Sequence, residues 1–170
     1  MLLSAAAAAD ETRSALFAVA ADAREAAIAA EAALLSPGSF EAGSKAWDRA
    51  NEDYDRGRSL DRIRRYLDEA TTEFQRATAA AGFARRNLAG LMKDRDAAQE
   101  AGADQLAGDD WADGEAGFRR AALDLEKGDA QGSLRAAEEA AEHYRAAELD
   151  AIKRRLLDST RVLIAEARDD

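Results

Sequence analysis

Residues 60–91 read LDRIRRYLDEATTEFQRATAAAGFARRNLAGL, and this stretch decides the fold. Apolar side chains recur in it at alternating spacings of three and four residues, which is the period of one face of an α-helix. The seam consists of Leu60, Ile63, Leu67, Ala70, Phe74, Ala77, Ala81, Ala84, Leu88 and Leu91. We predict one long helix from about residue 60 to about residue 105, in which Gly82, Gly90 and Gly102 mark bends or close approaches of other helices.

The composition of the whole chain favours the same class of structure. The 170 residues include one Pro and no Cys, 34% are charged and only 6% are aromatic. Abundant Ala with few large side chains favours close helix–helix packing, and we expect no β-sheet. We predict an all-α fold, an elongated antiparallel array of about five helices in the order long, short, long, short, long. The array forms one domain, residues 1–170.

The sequence aligns with itself, without gaps, at a displacement of 71 residues. Phe40, Gly43 and Trp47 align with Trp111, Gly114 and Phe118, and Arg49, Ala50, Asp53 and Gly57 align with Arg120, Ala121, Asp124 and Gly128. At two of these positions an aromatic residue aligns with a different aromatic residue, Phe40 with Trp111 and Trp47 with Phe118, which predicts a tetratricopeptide-like internal duplication. The predicted repeats are residues 26–96 and 97–167, and residues 1–25 complete the first long helix.

Each repeat contains a short helix that carries a stripe of large apolar residues at heptad spacing. The stripes are Phe40, Trp47 and Tyr54 in the first repeat and Trp111, Phe118 and Leu125 in the second. We expect these six residues to form the repeat core between the short and long helices. The alternative is that one stripe lines a groove that receives a peptide or helix of a partner.

Turn-forming residues set the ends of these helices. Pro37 cannot continue a helix, so we expect Ser39 to cap the first short helix. Gly57 and Gly128 stand where a helix C-terminus needs left-handed backbone. The last helix is predicted to bury a seam of Leu134, Ala137, Ala141, Tyr144, Ile152 and Leu156.

The charge of the chain restricts its partners. A net charge of −10 opposes binding to nucleic acid or to anionic lipid, because both require a basic face. No run approaches the roughly 20 apolar residues of a membrane-spanning helix, so we expect no direct membrane insertion. The opening Met1-Leu2-Leu3-Ser4 lacks basic residues, and we interpret it as a helix start and not as a signal peptide. We predict a protein partner, with a homo-oligomer as an open alternative.

Patterns typical of catalysis are missing from the sequence. His143 is the only His, and Ala140 stands where a Glu-x-x-His metal motif needs Glu. The acidic group from Asp109 to Glu115 lacks the spacing of a calcium loop. Nucleophile motifs and phosphate-binding glycine loops do not occur. We predict that the protein is not an enzyme and has no catalytic, cofactor-binding or metal-binding residues, with a metal-dependent helical-bundle enzyme as a minority alternative.

Two families share features with this chain. The spacing Trp111…Gly114…Phe118…Ala121…Gly128-Asp129…Ala137…Ala141…Tyr144-Arg145 resembles a tetratricopeptide-type helical hairpin. The pattern Ala26-Ala27…Ala30…Leu35-Ser36-Pro37…Phe40…Ala46-Trp47…Ala50…Gly57, with its copy Ala97-Ala98…Gly102-Ala103…Trp111…Phe118…Ala121…Gly128-Asp129, resembles the Ala-rich helical domain of Gram-negative envelope lipoproteins. That domain often precedes an OmpA-like peptidoglycan-binding domain, and its own function is unknown.

The second resemblance implies a periplasmic, non-enzymatic spacer or protein-binding module. It is not carried over to lipid anchoring or wall binding, because the lipobox Cys and the OmpA-like domain are not among these 170 residues. We expect a non-catalytic helical scaffold or adaptor that mediates protein–protein interaction in the periplasm or cell envelope. The alternatives are a cytoplasmic tetratricopeptide-like adaptor and a self-assembling coiled-coil structural protein.

Overall fold

The computed structural model describes the backbone of residues 2–169 and the side chains of residues 11–168. All regular structure in that part of the chain is helical, which confirms the predicted all-α class. The helices are α1 (Leu2–Ala29), α2 (Ala32–Leu35), α3 (Pro37–Asp55), α4 (Leu60–Asn87), α5 (Ala89–Glu100), α6 (Ala103–Leu106), α7 (Gly108–Glu126) and α8 (Ala130–Asp169). Eight helices therefore take the place of the five or so that we predicted.

Three short interruptions account for the additional helices. Glu31, with φ 57°, separates α1 from α2, and Gly102, with φ 78°, separates α5 from α6. Leu88, with φ −102° and ψ 18°, separates α4 from α5. The long helix predicted over residues 60–105 is thus divided into α4, α5 and α6. Gly82, which we expected to mark a bend, lies inside uninterrupted α4.

Two compact units make up the chain, Met1–Ala84 and Arg85–Asp170. In the first unit, α1, α3 and α4 enclose a core of Phe17, Ala20, Ala50, Ile63 and Leu67. Of the apolar seam that runs from Leu60 to Leu91, every member except Leu60 is buried. The seam therefore serves as the apolar face on which the neighbouring helices pack.

In the second unit, α8 packs along α7 through small side chains. The buried face of α8 includes Ser133, Ala136, Ala140, Tyr144, Ala147 and Ala151. The seam that we predicted on this helix is confirmed only in part, because Ala141 and Tyr144 are buried whereas Leu134, Ile152 and Leu156 are exposed. Close approach explains the choice of face: a Cβ at Gly117 of α7 would lie 2.8 Å from the Cβ of Ala140. Only the alanine face of α8 fits against this glycine.

The short helices α3 and α7 begin and end alike. Pro37 is itself the first residue of α3, where its missing N–H costs nothing. Ser39 lies inside that first turn, so our expectation that it caps the helix is wrong. At the other end, Gly57 and Gly128 adopt left-handed φ values of 62° and 81°. The N–H of Arg58, the residue after Gly57, donates to the carbonyl of Asp53, which closes the last turn of α3.

Candidate protein-binding grooves

The aromatic stripe of α3 meets rings on both long helices of the first unit. Phe17 of α1 contacts Trp47 and Tyr54 edge-on, with ring centroids 5.4 and 5.7 Å apart. Phe40 contacts Phe74 of α4 at 5.6 Å. Such edge contacts contribute about 0.5–1.5 kcal/mol beyond the burial of area. The stripe residues themselves are only half-buried, and the rings of α1 and α4 that receive them are fully covered.

The stripe of α7 has a different environment in the second unit. Phe118 is fully buried, whereas Trp111 and Leu125 are half-buried. Trp111 packs on Tyr144 of α8 with ring centroids 5.5 Å apart. The hydroxyl of Tyr144, which is fully buried, donates to Oε1 of Glu115 over 2.7 Å. In the second unit a hydrogen bond between α7 and α8 therefore accompanies the apolar contacts of the stripe.

Glu115 is the centre of this polar cluster. Arg95 of α5 donates from Nε to Oε1 of Glu115 over 2.7 Å, and its guanidinium lies 5.3 Å from the ring centre of Trp111. Burial and the hydrogen bond to Glu115 raise the pKa of Tyr144 well above its ordinary value, so the phenol is neutral at physiological pH. Within residues 11–168, no buried side-chain nitrogen or oxygen lacks a hydrogen-bond partner. The cluster therefore joins α5, α7 and α8, and each of its polar groups is already engaged.

An open groove lies between α1 and α4 of the first unit, with a volume of about 620 Å³. Leu67 forms its buried floor and Leu16 lies half-buried beside it. Val19 and Leu60 line the groove with 68% and 52% of their surfaces exposed. The remaining lining comes mainly from Thr and Ala side chains, with Arg64 as the one basic member. An apolar groove between two helices can receive an amphipathic helix or an extended segment.

The second unit has a corresponding groove between α5 and α8, of about 420 Å³. Leu88, Leu91 and Ala141 are its buried members, and Leu134 lines it with 60% of its surface exposed. An ion pair of 2.8 Å between Arg145 and Asp94 also lines it. This groove is smaller and more polar than the groove of the first unit, so the two favour different ligands.

The sequence did not indicate either groove. Leu60 was counted as a core residue, because it continues the seam of α4. Val19 was not predicted to line a groove, because it lies outside the apolar seam of α1. Thr12, Leu16 and Val19 follow a helical spacing of four and three residues, and this pattern was the available signal of a second apolar face on α1.

Of the candidate metal-binding residues, the structure brings His143 and Asp110 together. His143 is half-exposed, and its Nδ1 lies 3.4 Å from Oδ1 of Asp110. In the part of the chain with described side chains, no three His, Asp or Glu residues are arranged to hold a metal ion. Over the same part, no helix has the length and apolar character that a membrane crossing requires.

Comparison with protein family models, with curated proteins and with solved structures gave no match.

Proposed function

We propose that this protein is a non-catalytic helical scaffold or adaptor that binds protein partners. The observation that supports this proposal is the open groove in each unit, which has exposed leucine or valine side chains beside a buried leucine floor. Contiguous apolar surface in a concave site commonly marks a site of interaction with another protein. The net charge of −10 favours a partner whose apolar segment is flanked by basic residues.

We also propose that the two grooves descend from one duplicated unit. In support, α2 and α6 begin at Ala32 and Ala103, and α3 and α7 begin at Pro37 and Gly108, in both cases 71 positions apart. The left-handed residues Glu31 and Gly102 have the same displacement. The hairpins α3–α4 and α7–α8 then resemble enlarged tetratricopeptide hairpins, since α3 and α7 each have 19 residues.

The proposed duplication changes its register at the turn. After Gly57 the first copy has one residue more than the second has after Gly128, so α4 begins at Leu60 and α8 at Ala130, 70 positions apart. With this shift Phe74 corresponds to Tyr144, and both are fully buried against the short helix of their own unit.

The decisive experiment is affinity capture from the native organism with a matched pair of variants. Val19→Asp places a charge in the groove of the first unit, whereas Ile28→Asp places the same charge on an exposed position of α1 outside it. We expect the captured partner to lose at least about tenfold in affinity for Val19→Asp, since burying an unpaired charge costs more than 1.4 kcal/mol. Ile28→Asp should bind like the original protein. Equal binding by both variants would remove the groove from the proposal.

We place the protein in the periplasm or cell envelope, on the strength of the resemblance to the Ala-rich lipoprotein domain. The cytoplasmic adaptor is the alternative. Osmotic-shock fractionation of the native organism distinguishes them: release of the protein with periplasmic markers supports the envelope, and retention with cytoplasmic markers contradicts it.

A further inference from the structure

The part of α8 that follows Ala151 contributes no buried side chain up to Arg168. Tyr144, Ala147 and Ala151 are fully buried, but every residue from Ile152 to Arg168 is exposed. The exposed large apolar residues from Leu149 onward are Leu149, Ile152, Leu156, Leu157, Val162, Leu163 and Ile164. An isolated helix of such length is only marginally stable in water, because packing of an apolar face supplies most of the stability of protein helices. The exposed part of α8 therefore carries large apolar side chains that its own unit does not bury.

Two ion pairs of this segment lie on one side of the helix. Arg154 pairs with Asp150 over 2.8 Å, and Arg161 pairs with Asp158 over 3.1 Å. A different side carries Leu149, Ile152, Leu156 and Leu163, which we name the α8 stripe. Its spacings of three, four and seven residues are those of a coiled-coil seam. The four side chains of the α8 stripe are between 41% and 65% exposed.

We propose that the α8 stripe pairs with the α8 stripe of a second copy of this chain, as a short, parallel, two-stranded coiled coil. The three leucines occupy the a positions and Ile152 a d position, so an in-register pair brings each leucine against its counterpart. Glu148 and Lys153 flank the stripe at g and e. A parallel pair places Glu148 of each copy beside Lys153 of the other, and symmetry provides this charge complementarity twice.

Leu at a with Ile at d generally favours three or four strands, but the polar residues at the other d positions of this seam disfavour every arrangement except the parallel pair. In an antiparallel pair each a residue faces a d residue, so only one of the three leucines can face Ile152. The others then meet Arg145, Ser159 or Glu166, which occupy the remaining d positions. Three or four strands would enclose Ser159 and Glu166 in a sealed core, where unpaired polar groups are costly. Two strands leave these d positions partly in water.

This inference goes beyond the proposed function, because it concerns self-association with no other protein present. Sedimentation equilibrium of the purified full chain, from about 1 µM to about 500 µM, should show a monomer–dimer equilibrium, since so short a seam gives weak association. Leu156→Asp should raise the dissociation constant at least about tenfold. Leu157→Asp is the matched control. Its side chain is 57% exposed against 63% for Leu156, and it lines a hollow beside Leu106 of α6, away from the stripe.

A strict monomer over this range would overturn the proposal, as would a trimer, a tetramer or an equal effect of both substitutions. Weakened self-association of Val19→Asp would also overturn it, because the α8 stripe would then occupy the groove of the first unit. If partner capture fails while the dimer still forms, the proposed partner binding is contradicted and the α8 dimer is supported. The failures of the two proposals are therefore distinguishable.

Cysteine substitution tests the orientation, because the native chain has no Cys. In a parallel pair the a residues face their own copies at about 6 Å between Cα atoms, a separation that a disulfide spans. Leu149→Cys and Leu163→Cys should therefore each oxidise to a covalent dimer, and Leu157→Cys should not. Failure of either terminal position to crosslink, or crosslinking at Leu157→Cys as fast as at the stripe, would refute the parallel pair.

Discussion

Gly114→Ala is the most direct perturbation of the contact between α7 and α8. A Cβ at this position would lie 2.7 and 2.8 Å from two ring carbons of Tyr144, about 0.7 Å closer than ordinary carbon contacts. The ring cannot yield easily, because it is fully buried and its hydroxyl is bonded to Glu115. Overpacking costs about 1–3 kcal/mol and a broken hydrogen bond to a charged group about 1.5–3, whereas Ala gains about 1 kcal/mol of helix propensity. We expect a net destabilisation of about 1.5–5 kcal/mol.

Gly90→Ala is the matched control in the same unit. Its added Cβ meets nothing within 4 Å and its backbone is helical, so this variant should gain up to about 1 kcal/mol. Urea denaturation followed by circular dichroism measures both variants. If Gly114→Ala is as stable as Gly90→Ala, the close packing of α7 on α8 is refuted. Gly43→Ala should repeat the loss in the first unit, since its Cβ would lie 2.9 Å from the ring of Phe74.

Three further predictions follow from burial, ionisation and backbone geometry. Phe118→Ala should destabilise by about 3–5 kcal/mol and Trp47→Ala by less, because Phe118 is fully buried and Trp47 only half-buried; thermal melts compare them. Burial and Glu115 raise the pKa of Tyr144, so its neutral phenol contributes stability that is fully present below pH 10 and lost as the pH rises further. Tyr144→Phe should lack this alkaline loss in denaturation measured from pH 8 to pH 12, and an unchanged loss would show that Tyr144 titrates normally. Gly128→Ala should cost about 1–2 kcal/mol in urea denaturation, because its φ of 81° is strained for any residue with a Cβ, and a neutral result would indicate that the turn rearranges.

The sequence predicted the class of fold and the apolar face of α4, since a long seam of fixed period leaves no alternative to a helix. It did not predict that the long helix is divided. We expected Gly90 and Gly102 to mark bends or close approaches, and the break between α5 and α6 falls at Gly102, which aligns with Glu31 and like it adopts left-handed φ. We placed Gly102 inside one continuous helix, because Glu31 alone gives no reason to expect a turn. The break at Leu88 lies two residues before Gly90.

The candidate grooves were less predictable than the fold. Apolar periodicity identifies a face, but it does not tell which of two faces a neighbouring helix covers. On α8 we expected the large apolar residues to be buried and therefore predicted that the face of Leu134 and Ile152 lies inside. The structure instead buries the face of Ala140 and Ala147. Gly117 favours the alanine face, because the absence of a side chain at this position lets α8 pack closest to α7 through Ala140.

Because small residues fill the interface between α7 and α8, large apolar residues of α8 remain on the surface, where they can bind other molecules. Alanines form most of the buried face of α8 and Gly114 and Gly117 of α7 lie close to it, whereas Leu134, Leu149 and Leu156 stay exposed. Large apolar side chains that the fold does not use are costly on a surface unless another molecule covers them. They lie in two separate places, one in the groove of the second unit and the others along the α8 stripe. One surface can therefore receive a partner while the other joins two copies of the chain, and a pair of copies would present each groove twice and raise the effective concentration of binding sites for a multivalent partner.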